Sequence, residues 1–532
     1  MHGRIFALTV VTLLTLNPFG SLTLAAAEPE PWLKTVEEHL EAWRLPQAEE
    51  IASRLLSQNP KSALALDANG RVRFYQGRYE EALRFLEQAL AVESSNERRQ
   101  ALRVLAQQTH DTVRKLKRFE SAHFVLYLDD NRDGILAPHV LDALEKSYQV
   151  IGSALGYFPQ TKVRVEIAPD AASFNAISTL SRRDIEETGA VGICKFNKIM
   201  TISPRALMHG YRWLDSLSHE YLHYVIVGMS GNKAPIWLHE GMARFYETRW
   251  RRPEPAKGYE DYLTPSNQSL LARALEKNKF VGFKKMEPSL IYLESPEEVQ
   301  LAYAEAASAV DFMVQRKGHA GVRELLAGLE KSPASEAIEK VLGSPYAAFE
   351  TEWKNFLKAK GLKEIEGSRV RRLKVKGEQK EDEEAVELKE IQSVVARNRT
   401  HLADQLMERG RSAAAVQEYR RALQASPHSP IILNKLARTL TQAGRHEEAL
   451  PHLKKAQELD PDSVNTYIQL GRLYHAAKNF AAARAALEEA IQINPFDPTI
   501  YRLLAESYAA LGQQEQARGS KATLDRLMKA RY

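Results

Sequence analysis

The chain has 532 residues, more than one ordinary core accommodates, and its length suggests about three folding units. A composition of 44% hydrophobic and 27% charged residues is that of a globular protein and excludes collagenous or wholly disordered sequence. Seventy-three basic against 68 acidic residues leave a formal charge of +5, a near-balance that argues against nucleic acid as the main partner.

The first 27 residues read as a signal peptide. Arg4 precedes an apolar run from Ile5 to Leu16, and Ala25, Ala26 and Ala27 supply the small residues a signal peptidase requires. Asn17-Pro18 breaks the run, which favours cleavage after Ala27 over an uncleaved anchor. The expectation is an exported chain, periplasmic or secreted, with no stable membrane span after cleavage. Cys194 is the single cysteine, so neither a disulfide within the chain nor a cysteine-based metal site is possible. Any metal must be held by histidine and carboxylate.

Residues 28–118 carry two weak copies of a helical pattern. Gly77, Ala82 and Ala89 belong to one, and Ala48, Leu55 and Pro60 to another one period earlier. A further helix, "NERRQALRVLAQQTHDTVRKLK", caps them. From 119 to 360 the pattern changes. "HFVLYLDD" and "KVRVEIAPD" are strand-like, and a helix between them places Leu141, Leu144, Tyr148 and Ile151 on one side. "GICKFNKIMTIS" is again strand-like.

Next comes "WLDSLSHEYLHYVIV", a mostly apolar helix holding His219-Glu220-x-x-His223. Residues four apart project from one helix face, so both imidazoles can turn to a single ion. Glu220 points about 100° round the helix, where it can reach a water in the ion's open position and act as general base. The bland alternative is a hydrogen-bonded histidine pair. A loop through "GMSGNKAP" then returns the chain on a second helix bearing Glu240, the expected third ligand, with His239 as its competitor. Trp237 is expected to anchor this helix against the first.

Residues 361–395 are dense in mixed charge and read as a solvated, partly helical linker. From 396 to 532 the chain repeats itself. Gly410, Gly444, Lys478 and Gly512 are spaced at 34, as are Ala415, Ala449, Ala483 and Ala517. This period, with proline after each second helix (Pro427, Pro461, Pro495), is the signature of tetratricopeptide repeats. Such arrays form concave surfaces that bind peptides or helices, so a protein partner in that groove is expected.

HExxH followed by W-x-x-E-G-x-A resembles the gluzincin branch of zincin metallopeptidases, and especially the bacterial peptidase MA-like domains found beside tetratricopeptide repeats. The resemblance covers roughly residues 119–360. It implies an α+β zincin-like metallopeptidase domain with all-α repeat solenoids on both sides, in a chain of bacterial origin. It also implies one Zn2+ per chain on His219, His223 and Glu240, with Glu220 as catalytic base and later proton donor. "GICKFNKIMTIS" would be the edge strand along which an extended substrate lies. Tyr303 would stabilise the oxyanion, the alternative being a core aromatic. Arg244 stands where related enzymes carry an acidic residue, so Asp215 or Glu247 would have to orient a zinc histidine. The expected function is an exported zinc peptidase acting on peptides or proteins. The competing reading is a repeat scaffold or assembly factor with a vestigial or structural metal site.

Overall fold

The computed structural model describes residues 31–252, 261–370, 372–377 and 383–529, so the signal-peptide reading lies outside the described residues. The described chain is mostly helical. Its helices begin with five at the N-terminal side, Pro31–Glu41, Leu45–Gln58, Ala63–Tyr75, Tyr79–Val92 and Glu97–Val113. Small residues sit where these helices cross. Ala48, Ala52, Ala82 and Ala89 are fully buried, and a Cβ on Gly70 would press on Leu86.

One five-stranded sheet follows, made of β1 (Lys117–Glu120), β2 (Phe124–Leu128), β3 (Val163–Ala168), β4 (Gly192–Lys195) and β5 (Lys198–Ile202). Its order is β1-β2-β3-β5-β4, with β2, β3 and β5 parallel and an antiparallel strand at each edge. β1, made of Lys-Arg-Phe-Glu, has no apolar alternation and escaped the sequence reading. "GICKFNKIMTIS" is a hairpin, not one strand. Phe196 and Asn197 both take positive φ (55° and 59°) and turn the chain in two residues, so only β4 lies at the edge. The helix Ala137–Leu155 buries Leu144, Tyr148 and Ile151 as expected, but Val140 takes the core position expected of Leu141.

β3 and β5 carry a buried polar cluster that ties them to the first repeats. Lys198 Nζ donates to Glu166 Oε2 at 2.8 Å and to the Tyr79 hydroxyl at 2.8 Å, while Tyr79 donates to Glu166 Oε1 at 2.5 Å. Arg164 Nε adds a third donor to that carboxylate at 2.6 Å. Phe196, at the hairpin turn, packs edge-on against Phe74 and Tyr75.

The helix that carries HExxH spans Trp213–Ser230 and is called the motif helix below. Gly231 and Asn232, both at positive φ, reverse the chain, and Pro235 caps the return helix, Ile236–Tyr246. A long helix, Pro296–Leu329, is broken at Gly318 (φ 66°, ψ −178°) and lies along the return helix. Gly241 permits that approach, since a Cβ there would run into the Ala306 carbonyl. The Trp237 ring packs on Phe283 at 4.5 Å and on Phe349 at 5.7 Å.

Eight helices from Val394–Glu408 to Gln514–Lys529 form the C-terminal array. The 34-residue period is visible in its backbone. Gly410, Gly444 and Gly512 take left-handed conformations at the turn within each pair, and Lys478 is held in the same conformation (φ 60°). Ser429, Ser463 and Asp497, again 34 apart, cap the first helices. By compactness the chain forms two units that do not follow chain order. Among the described residues, one takes in the chain up to Ile202, with Ser216–Tyr262 and Asn278–Gly361; the other takes Ser203–Asp215, Leu263–Lys277 and the chain from Leu362 onward.

Candidate metal centre

One helical turn brings the two motif imidazoles together, with ring centroids 4.8 Å apart and planes nearly perpendicular. The return helix then presents Glu240 rather than His239. Glu240 Oε2 stands 3.4 Å from His219 Nε2 and 3.7 Å from His223 Nε2. One ligand atom from each of the three residues lies within 4.8 Å of the other two. Four ligands at the usual zinc distances, about 2.0–2.2 Å, would stand about 3.4 Å apart at tetrahedral angles. The two separations from Glu240, 3.4 and 3.7 Å, are close to that spacing. His239 is fully buried beside the site, and burial pushes its pKa down to about 3.

Glu247, the residue that closes the return helix, completes the support. His219 Nδ1–H donates to Glu247 Oε2 at 2.9 Å, which turns Nε2 toward Glu240. Glu247 in turn accepts from Arg244 at 3.0 Å. Of the two carboxylates offered from sequence, Glu247 holds the histidine. Arg244, the departure from the expected pattern, steadies that carboxylate instead of replacing it.

Glu220 lies against the sheet edge. Its carboxylate is so close to β4 that a Cβ on Gly192 would lie 2.7 Å from Oε1. Glycine within a strand is the sequence signal for such an approach, and it went unread. Tyr303 projects from the long helix to the same site. It is half-buried, and the Arg244 guanidinium lies 5.0 Å from its ring centroid.

Burial lifts the Glu220 carboxyl to about 8, Glu240 adds to the rise, and His219 and the Cys194 N–H oppose it. Burial works against a proton on His219, yet the carboxylates of Glu240 and Glu247 beside it outweigh that and raise the imidazole to about 10. His223 is pushed well below its usual value by burial. Glu240 Oε2 and His223 Nδ1 are buried with no hydrogen-bond partner of good geometry among the described residues. Three carboxylates thus crowd two imidazoles, balanced by the Arg244 guanidinium and by protons. A buried Glu240 oxygen without a partner is costly, and a dication between His219, His223 and Glu240 would satisfy it. The residues present fit the metal.

Comparison with known proteins adds a family. Residues 182–359 match the Peptidase MA superfamily. Tetratricopeptide repeat models match residues 70–92, 401–464 and 440–506. The chain therefore holds a Peptidase MA superfamily domain together with tetratricopeptide repeats on both sides of it. No curated protein matches the sequence. Among solved structures, MamA (AMB-1) is 21% identical, with 27% of this chain and 86% of that one covered at a TM-score of 0.24. TTC0263, a thermophilic TPR protein of Thermus thermophilus, is 27% identical over 25% of this chain and 74% of that one, TM-score 0.24. The TPR domain of P58(IPK) is 13% identical, with 92% of this chain and 99% of that one covered at a TM-score of 0.22.

Proposed function

We propose that the chain is an exported zinc-dependent peptidase of the gluzincin type, ordered as a signal peptide (1–27), helical repeats (28–118), a zincin-like domain (119–360), a charged linker (361–395) and a repeat array (396–532). The observation that carries this reading is the placing of Glu220 between a three-ligand cluster and a sheet edge. A site kept for structure alone needs His219, His223 and Glu240, but no buried carboxylate held between them and a strand.

In this reading zinc on those three residues supplies Lewis acidity toward water and toward a peptide carbonyl. Glu220 accepts the proton of the attacking water and delivers it to the leaving amine. Its raised pKa suits both halves of that exchange. β4 offers backbone N–H and C=O groups to an extended substrate, fixing the scissile carbonyl beside the base. The Tyr303 hydroxyl donates to the developing oxyanion. Glu247 keeps His219 in the tautomer that offers Nε2. The repeats bind the substrate or a partner protein.

The test is zinc content per chain by elemental mass spectrometry, on protein purified without added metal, beside Glu240→Ala and Glu220→Gln. About one zinc in the native chain and in Glu220→Gln is expected, with much less in Glu240→Ala; hydrolysis of a peptide library by the native chain alone completes the case. Absence of zinc from the native chain even after zinc is offered would refute the reading.

A further inference from the structure

The ten residues between β5 and the motif helix, 203–212, are held by groups the metal centre does not use. They belong to the same compact unit as the C-terminal repeats, together with the first turn of the motif helix. Their backbone is fixed at three points. Lys376 N–H donates to the Ala206 carbonyl at 2.8 Å, Met208 N–H to Lys374 at 3.0 Å, and Tyr211 N–H to Ile493 at 3.0 Å. Gly210, at φ 66°, lets the chain pass so close that a Cβ would strike the Ile493 carbonyl.

The side chains are fixed as well. Arg205 lies over the Phe496 ring at 4.1 Å. Arg212 uses the whole fork of its guanidinium: Nε donates to Asp462 at 2.9 Å and Nη1 to Glu489 at 2.6 Å. Nη2 donates to the Pro461 carbonyl at 2.7 Å and to the Tyr467 hydroxyl at 3.2 Å. Trp213, 1% exposed, donates its indole N–H to the Ile491 carbonyl at 2.8 Å. The repeat-side partners, residues 461–467 and 489–496, all belong to or flank one repeat, Val464–Ala476 with Phe480–Ile491.

Trp213 is the first residue of the motif helix, and His219 lies six residues on, about 9 Å along a rigid rod. A group that grips Arg212 and Trp213 therefore sets where that rod begins. An arm that only presents a substrate on a solvated linker needs no such grip. We propose that this repeat is an in-chain clamp on the start of the motif helix, with Arg212 its positioning residue. The effect on turnover rests on the peptidase reading; the clamp itself does not.

The experiment is hydrogen exchange by mass spectrometry on the full chain, native and Arg212→Met. The repeat-side variant Asp462→Asn/Glu489→Gln guards against a misfolded Arg212→Met. Both variants are expected to exchange about tenfold faster across residues 205–223, through the HExxH turn, with residues 394–442 unchanged. Arg212→Lys, which keeps the cation, should restore part of the protection. If the native chain cleaves peptides, kcat in the variants should fall about tenfold with KM little changed. Unchanged exchange, or faster exchange confined to residues 205–213, would overturn the clamp. A native chain without zinc or turnover would refute the peptidase reading and leave the exchange result to decide the clamp alone.

Discussion

Gly192→Ala separates the carboxylate proposed as general base, Glu220, from the three proposed metal ligands. The added Cβ would lie 2.7 Å from Glu220 Oε1, 2.8 Å from Cγ and 3.0 Å from Cδ, where ordinary contact begins at 3.4 Å. The three nearest atoms are all of Glu220, and Gly192 has no positive φ, so alanine fits the backbone and strains only the side chain. The carboxylate has to withdraw by about half an ångström or more. A misplacement of ~1 Å near a reacting group costs ~100-fold in rate, so kcat should fall about 10- to 100-fold, or about 1.4–2.7 kcal/mol in the barrier. Zinc content and melting temperature should stay near native values. Steady-state kinetics on a fluorogenic peptide, with zinc measured on the same sample, is the assay. Native kcat in a folded, zinc-loaded Gly192→Ala would show that Glu220 does not act from this position.

Three further predictions follow from the same geometry. Glu247→Ala removes the acceptor of the His219 Nδ1–H and should weaken zinc binding about 10- to 100-fold in competition with a chelator, with the three ligands intact; native affinity would remove Glu247 from the site. Tyr303→Phe should lower kcat about 100- to 1,000-fold with unchanged zinc content if its hydroxyl serves the oxyanion; unchanged turnover would return the ring to a packing role over Arg244. Glu166 supplies a pH test. Burial raises its pKa, but Lys198 and Arg164 outweigh that and hold it at about 2 against an ordinary 4.5. Its contribution is therefore present above about pH 4.5 and lost as the pH falls toward 2, at most ~3 kcal/mol at ~1.4 kcal/mol per unit. Urea midpoints should fall between pH 5 and pH 3 in the native protein and less steeply in Glu166→Gln; parallel slopes would contradict the assignment.

What the sequence determined by itself is whatever short-range geometry dictates. Four residues of helix put His219 and His223 on one face, and a 34-residue period places Gly410, Gly444 and Gly512 at equivalent left-handed turns. Both are local, so no knowledge of packing was needed. Strand signals succeeded where aromatic and β-branched residues are frequent, in β2 and β3, and failed at β1, three of whose four residues carry charge. The turn at Phe196-Asn197 was missed because neither residue is glycine, although Asn tolerates that conformation.

Tertiary structure decided the rest, because each remaining choice depends on which faces meet. Adjacent residues on the return helix point about 100° apart, so the rotation of that helix against the motif helix selects Glu240 over His239. The same rotation brings Glu247 to His219 and turns Arg244 from a missing carboxylate into its support. Gly192 and Arg212 acquire their roles from partners 28 and about 250–280 residues away, a separation at which no sequence periodicity speaks.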